Sequence, residues 1–163
     1  IVQIGTSSDA GGGSVASDLL ELSDSRVPRP LPEKAVATFD AIHQAIGEGL
    51  ISCCHDFSEG GLAAAAAEMV IGADGLGVEI DSALAPSDGE LTSLSTLFAE
   101  APSRFIAEVS PDNLQRFGEV MRSVHWASIG EVTDTSTLHI KHNGDSLLCV
   151  SRESLATANQ VPA

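Results

Sequence analysis

The sequence runs Leu50-Ile-Ser-Cys-Cys-His-Asp-Phe-Ser-Glu-Gly-Gly-Leu-Ala-Ala-Ala-Ala-Ala-Glu-Met69. Within this stretch the residues change from apolar to polar and then to an alanine-rich run. The first residues, Leu50 to Cys54, form an apolar run of strand length, and the alanines from 63 onward favour a helix. Between them lies the polar segment from His55 to Gly61. A turn between a strand and a helix lies at a sheet edge, beside the free N–H groups of the helix N-terminus. The segment is therefore the best candidate for a binding site.

The polar segment offers several groups that bind ligands. Gly60 and Gly61 let the backbone approach a ligand closely, and Ser58 can cap the helix or donate to a phosphate. Asp56 and Glu59 can accept a hydrogen bond from a ribose hydroxyl, an amine or a metal-bound water. Purely structural roles, with Ser58 as an N-cap and Asp56 in an Asx turn, explain the same spacing equally well.

Two catalytic interpretations of this segment are disfavoured. The pair His55-Asp56 is typical of metal-dependent phosphohydrolases, but nothing in the sequence marks other histidines as further ligands. A Ser-His-Asp hydrolase is excluded because the three residues are too close along the chain and no G-x-S-x-G motif is present. We therefore predict no catalytic residue and no metal ligand in this chain.

Two other segments are candidate anion sites. Residues Gly11 to Ser14 form a glycine-rich loop that could cradle an anion, although it lacks the lysine and the spacing of a P-loop. Ser103 and Arg104 precede a predicted strand, where a cation beside a hydroxyl could bind phosphate. A solvated charge at the start of an edge strand is an equally good interpretation of Arg104.

The remaining pattern predicts an α+β fold. About six strands, one of them at 126–132, are interleaved with three main helices, which indicates a mixed sheet covered by helices. The clearest helix starts at Glu33 and carries Val36, Phe39, Ile42 and Ile46 on one face. A shorter helix is predicted at 15–22 and a hairpin turn at 142–145.

The chain length predicts one domain. We expect residues 1–163 to form a single unit in which 1–32 supply a first strand, the glycine loop and a proline-rich connector, and 33–163 form the core. The connector is predicted at 23–32. Because the chain begins at Ile1 rather than methionine, we expect it to be excised from a larger multidomain enzyme.

The net charge limits the classes of partner that the chain can bind, and the cysteine content indicates its cellular compartment. The chain has 8 Lys and Arg against 23 Asp and Glu, a formal net charge of −15, and its cations are scattered along the sequence. Such a surface repels nucleic acid and anionic lipid, and no apolar stretch is long enough to span a bilayer. Three cysteines do not make a disulfide framework. We expect them to be buried in a protein of the reducing cytoplasm.

The segment from His55 to Met69 resembles the HDxS(D/E)GGLA…AEM motif of phosphoribosylformylglycinamidine synthase (FGAM synthase). Further similarities follow in the right order from about Gly12 to Leu155. They are the GGS segment at 12–14, the P-x-x-x-x-A…G-L helix at 32–49, the LF(G/S)E…(G/S)RF segment at 97–105 and IGEVT at 129–133. The ordered set is far more specific than any one motif.

The resemblance implies the C-terminal domain fold of the aminoimidazole ribonucleotide synthetase superfamily. It also implies a part of a ligase of de novo purine biosynthesis, which uses ATP to activate the amide oxygen of formylglycinamide ribonucleotide (FGAR) and displaces it with ammonia from glutamine. ATP and Mg²⁺ would act in the intact enzyme, with none expected in the isolated domain. The implied partners are the remaining synthetase domains and a glutaminase domain or subunit.

The resemblance further implies which residues line the substrate and nucleotide cleft. Ser103 and Arg104 would be secondary contacts, although Ala99 and Ala101-Pro102 depart from the family pattern beside them, and Glu59 replaces a commoner Asp. The residues that would line the cleft are His55, Asp56, Ser58, Glu59, Gly60 and Gly61. A loop on the phosphate side of the cleft would consist of Gly12, Gly13 and Ser14. The alternative is a stand-alone, non-catalytic ligand-binding or interaction module with the same fold.

Overall fold

The computed structural model describes residues 1–21 and 26–160. Within them the strands are β1 (Val2–Ile4), β2 (Ile51–Asp56), β3 (Gly77–Asp81), β4 (Phe105–Val109), β5 (Trp126–Ser128), β6 (Gly130–Thr133), β7 (Thr137–His142) and β8 (Asp145–Ser151). The α-helices are α1 (Val15–Leu19), α2 (Pro32–Gly47), α3 (Gly61–Gly72), α4 (Ser93–Phe98), α5 (Leu114–Val120) and α6 (Arg152–Asn159). Short 3₁₀ turns lie at Ser82–Leu84 and Pro111–Asn113.

The strands form two sheets of four. The first sheet has the order β2-β4-β1-β5 and is antiparallel throughout. The second sheet has the order β6-β3-β7-β8, in which β3 and β7 run parallel and the other pairs run antiparallel. The predicted α+β class is confirmed, with eight strands in two sheets rather than about six in one.

The second sheet arises where the sequence predicted one strand at 126–132. Ile129 is fully buried and separates β5 from β6, and its N–H donates to the carbonyl of Ile1 at 2.9 Å. Its own carbonyl accepts from the N–H of Asp81 at 2.8 Å, so the chain changes partner at this residue. At the next position, a Cβ on Gly130 would lie 2.0 Å from the carbonyl oxygen of Glu79, so only glycine permits this approach.

Helix α3 packs against both sheets. Its buried residues, including Leu62, Ala66 and Val70, share one core with residues of the second sheet and with Ile106 of the first. Helices α2 and α5 cover the other face of the first sheet. Because α3 is central, its N-terminus and the polar segment before it are held in a fixed position.

The face of α2 that packs inward is not the predicted one. Of the four predicted residues only Ile42 is buried, whereas Val36, Phe39 and Ile46 are exposed. The buried positions are Thr38, Ala41, Ile42 and Ala45. A helix that lies close to a sheet needs small side chains at the contact, and apolar periodicity alone does not show this.

Other local predictions have mixed outcomes. The hairpin is confirmed, with Asn143 and Gly144 at φ of 52° and 83° between β7 and β8. Cys53 and Cys149 are exposed, and the prediction that they are buried was wrong because each lies on an edge strand. The helix predicted at 15–22 ends at Leu19, while residue 22 and positions 23–25 of the connector lie outside the described residues. Within the part of the chain described, no helix is long and apolar enough to cross a membrane.

Candidate functional site

The turn begins two residues later than the sequence predicted. His55 and Asp56 belong to β2, where they pair with Ile106 and Phe105 of β4. The turn proper starts at Phe57, which is buried and whose N–H donates to the carbonyl of Arg104 at 2.9 Å. Pairing with β4 therefore extends the strand into the polar residues and places them at the sheet edge.

Asp56 and Ser58 form an exposed hydrogen-bonded pair. The Ser58 hydroxyl donates to Asp56 Oδ2 at 2.7 Å, and this bond lowers the pKa of the Asp56 carboxyl. The N-cap of α3 is Gly60, so Ser58 does not cap the helix as the structural interpretation supposed. Asp56 thus presents an ionised carboxylate beside an exposed hydroxyl, with its Oδ1 3.7 Å from His55 Nδ1, and Glu59 is exposed next to them.

Glu100 joins the polar segment to the glycine loop. Its Oε1 accepts from the backbone N–H of Gly60 at 2.9 Å and from that of Val15 at 3.1 Å. These N–H groups lie at the N-termini of α3 and α1, where the helix leaves them without intrahelical acceptors. A single carboxylate therefore brings together two of the segments named from the sequence.

The glycine loop is closed by Ser14. Its hydroxyl donates to the carbonyl of Gly11 at 2.7 Å and accepts from the N–H of Ser17 at 3.1 Å, which makes Ser14 the N-cap of α1. Gly12 donates its N–H to the carbonyl of Arg26 at 3.0 Å, and Gly13 has a φ of +78°. The Ser14 side chain is thus engaged within the loop.

Arg104 lies in the interior, where the sequence suggested a ligand contact or a solvated charge. Only 1% of it is exposed, and its guanidinium lies 4.7 Å from the centre of the Phe57 ring. Its Nε and Nη1 donate to the carbonyl of Ala101 and the hydroxyl of Ser7, both at 2.9 Å, and Nη2 donates to the carbonyl of Ala99. Burial lowers its pKa to about 10, so it remains charged at neutral pH. Arg104 therefore anchors the segment that carries Glu100.

The Glu100 junction is the place where Glu100 accepts from the N–H groups of Gly60 and Val15. Two predicted site residues, His55 and Ser103, lie apart from it. His55 points toward α3, with its Nε2 at 2.8 Å from Glu68 Oε2, in a cavity of about 330 Å³ that Cys54 also lines. Burial raises the pKa of the Cys54 thiol to about 11, so it is not a reactive thiolate. Ser103 lines a separate cavity of about 170 Å³. The predicted residues thus fall into three places.

The polar groups that line these places are few and of simple kinds. Within residues 1–21 and 26–160, no three His, Cys, Asp or Glu side chains are grouped so that they could hold a metal ion. A Mg²⁺ ion is normally held by one or two carboxylates together with substrate phosphates. The groups that this part of the chain offers a ligand are backbone amides, hydroxyls and single carboxylates.

The role of Glu100 was not predicted from the sequence. Glu100 belongs to the segment 97–105, and nothing in the sequence distinguishes it among 23 acidic residues. The position of Glu100 was nevertheless a signal. Glu100 closely follows a short helix and precedes Ser103-Arg104, where the chain turns back into the core. Its partners, 40 and 85 residues away, were not predictable.

We expect Glu100→Ala to loosen the junction. The substitution leaves two helix N-terminal amides without their acceptor, and loss of a capping acceptor costs about 1 kcal/mol of the free energy of unfolding. Amide hydrogen exchange at Gly60 and Val15 should accelerate, and Glu100→Gln, which retains one acceptor oxygen, should have a smaller effect. Unchanged exchange at both amides in Glu100→Ala would contradict the bridging role.

Comparison with known proteins identifies the fold. The sequence matches the family described as AIR synthase related protein, C-terminal domain, over residues 1–143. Phosphoribosylformylglycinamidine synthase II from Thermotoga maritima has a TM-score of 0.79 at 21% identity, over 95% of this chain and 25% of that chain. The T. maritima PurL complexed with FGAR has a TM-score of 0.78 at 18% identity, over 95% of this chain and 27% of that chain.

A second group of structures has the same fold. Hydrogenase maturation protein HypE has a TM-score of 0.65 at 17% identity, over 92% of this chain and 51% of that chain. The chain therefore spans about a quarter of the T. maritima proteins and about half of HypE. The superfamily fold that the sequence motifs implied is confirmed.

Proposed function

The chain belongs to the AIR synthase related protein C-terminal domain family, and from this premise we propose that it is the C-terminal domain of an FGAM synthase. That enzyme performs the ATP-dependent amidation of FGAR in de novo purine biosynthesis. The domain contributes to the cleft that holds substrate and nucleotide. The solved T. maritima PurL structures support this choice, since they include complexes with FGAR and with ATP.

The main support for the proposal is the contact of two distant segments with one carboxylate, that of Glu100. The polar segment and the glycine loop, which the resemblance singles out from distant parts of the sequence, meet at Glu100 Oε1. The exposed Asp56–Ser58 pair lies four residues or fewer from Gly60, on the same turn. A purely structural turn does not require an ionised carboxylate and a hydroxyl held 2.7 Å apart at the surface.

The residues of the cleft have distinct roles in this proposal. Asp56, ionised at neutral pH, accepts from a ribose hydroxyl or an amine, and Ser58 donates to the same ligand when its bond to Asp56 opens. Glu59 offers a second exposed carboxylate. The loop on the phosphate side consists of Gly12, Gly13 and Ser14. Gly60 and Gly61 have no side chain that would block the approach of a ligand to the backbone. Arg104 is a positioning residue held by internal partners, and His55 is a positioning residue held by Glu68 at the surface.

In this proposal, other parts of the enzyme carry out the phosphoryl transfer. ATP phosphorylates the amide oxygen of FGAR, and ammonia then displaces phosphate at that carbon; Mg²⁺ and cations normally stabilise the charge that develops. Within the described residues, no three acidic, histidine or cysteine side chains are grouped as a complete cation site. In this proposal ATP and Mg²⁺ act in the intact enzyme, where the remaining synthetase domains complete the nucleotide cleft and a glutaminase domain or subunit supplies ammonia. The enzyme is cytoplasmic, and residues 1–163 are one of its domains.

Removing the exposed pair should weaken ligand binding in the intact enzyme. We expect the double variant Asp56→Asn, Ser58→Ala to raise the KM for FGAR or ATP about tenfold, since a hydrogen bond to a charged group contributes about 1.5–3 kcal/mol. Steady-state assays of the protein that carries this segment measure both KM values. The control is Asp134→Asn, an exposed acid between β6 and β7.

Two results would contradict the proposal. Equal KM values for both substrates in the double variant and the control would remove the pair from the cleft. Tight binding of FGAR or ATP by the isolated 163-residue chain, without amidation by any larger protein that contains it, would favour the stand-alone binding module instead.

A further inference from the structure

Three cations have no partner among the described residues of this strongly acidic chain. Within residues 1–21 and 26–160, the side chains of Arg26, Arg104, Arg116, Lys141 and Arg152 all have acidic or carbonyl partners. The side chains of Arg29, Lys34 and Arg122 have no hydrogen bond or ion pair there, although the chain has 23 acids and only 8 cations. An excess of acids makes an unpaired cation unusual, and two of these three, Arg29 and Lys34, occur together.

Both cations line the same cavity of about 170 Å³. Thr6, Ser103 and His125 line it too. The Thr6 hydroxyl lies 3.0 Å from His125 Nδ1, which fixes the ring and leaves Nε2 without a partner among the described residues. The cavity thus combines two positive charges with hydroxyl and imidazole donors.

Ser103 gives this cavity an unusual backbone. It has a φ of +60°, a left-handed conformation that is unfavourable for a residue other than glycine. A Cβ on Gly5 would lie 2.6 Å from the Ser103 carbonyl oxygen, so the two loops are closely packed. The strained conformation is therefore held by the surrounding structure, and it keeps Ser103 on the cavity wall.

We propose that this cavity binds the dianionic phosphate group of a phosphomonoester. Arg and Lys side chains with hydroxyl donors are the groups that recognise phosphate, and Arg can do so through two parallel hydrogen bonds. Asp88 also lines the cavity and opposes the anion. The site is separate from the Glu100 junction, and it does not depend on the proposed function because it is tested by anion binding rather than by turnover.

The test is a titration of the 163-residue chain with inorganic phosphate and with ribose 5-phosphate at constant ionic strength, followed by amide NMR shifts. We expect saturable shifts at Thr6, Ser103 and His125. The double variant Arg29→Ala, Lys34→Ala should weaken binding about fivefold or more, since each exposed ion pair contributes up to about 1 kcal/mol. Tighter binding of ribose 5-phosphate than of phosphate would identify a sugar phosphate as the ligand class.

Two further variants locate the site. Arg116→Gln removes one positive charge from α5, where Arg116 pairs with Glu48 at the C-cap of α2. Glu48 lies about 21 Å along the helix from Lys34, so this variant should leave binding within twofold. Asp88→Asn removes the opposing carboxylate and should strengthen binding by about threefold. Shifts that do not saturate, or equal affinities in all variants, would overturn the proposal.

Discussion

Arg104→Ala is expected to destabilise the chain by about 3–5 kcal/mol, since removing one partner from a buried charged network leaves the others unsatisfied. The carbonyls of Ala99 and Ala101 lose this donor, the Ser7 hydroxyl keeps only its bond from Gln3 Nε2, and the contact with the Phe57 ring is lost. The cavity left by the side chain adds to the cost. Urea unfolding of the wild-type and variant chains measures the difference.

Arg104→Lys is the matched control for this substitution. It keeps a positive charge but cannot donate to three separate acceptors in a fixed planar arrangement. We expect it to be destabilised less than Arg104→Ala and clearly more than wild type. If Arg104→Ala unfolded within about 1 kcal/mol of wild type, the guanidinium would not be the anchor of the Glu100 segment.

Gly61→Ala is expected to cost about 2–4 kcal/mol, which combines a left-handed backbone with steric overlap. Gly61 has a φ of +61°, and an added Cβ would lie 2.5 Å from the carbonyl oxygen of Ala99 and 2.9 Å from that of Leu97. The helix α3 would have to move away from the segment that carries Glu100. Ligand binding at the junction should therefore be lost together with stability.

Gly13→Ala separates the two contributions. Gly13 has a φ of +78°, but nothing lies within 4 Å of its added Cβ, so only the backbone penalty of about 1 kcal/mol applies. The free energies of unfolding of the two variants, measured side by side, should differ by at least 1 kcal/mol. Equal values would mean that the close approach at Gly61 does not constrain the fold.

The strand–turn–helix unit could be predicted because its signals are local. Alanine-rich sequence after Gly61 favours a helix whatever surrounds it, and the Asn143-Gly144 turn fixes its hairpin by backbone conformation alone. The two-sheet architecture could not be predicted. The apolar pattern at 126–132 continues through Ile129, and a period of two does not record that the strand changes partner there.

The candidate site was predicted only in part for a similar reason. The residues of the polar segment and the glycine loop were identified, but the carboxylate that joins them bonds across 40 and 85 residues. The interior position of Arg104 was missed because arginine is almost never fully buried unless it is paired. Long-range contacts of single polar side chains leave no periodic pattern in a sequence.

The reaction itself, measured on the wild-type protein that carries this segment, tests the assignment to FGAM synthase. With FGAR, ATP, Mg²⁺ and glutamine or ammonia, we expect formation of formylglycinamidine ribonucleotide together with ADP and phosphate. Omission of FGAR should abolish the ADP formed. If the protein forms no amidine product under these conditions, its assignment to FGAM synthase is contradicted and the domain serves another member of the family.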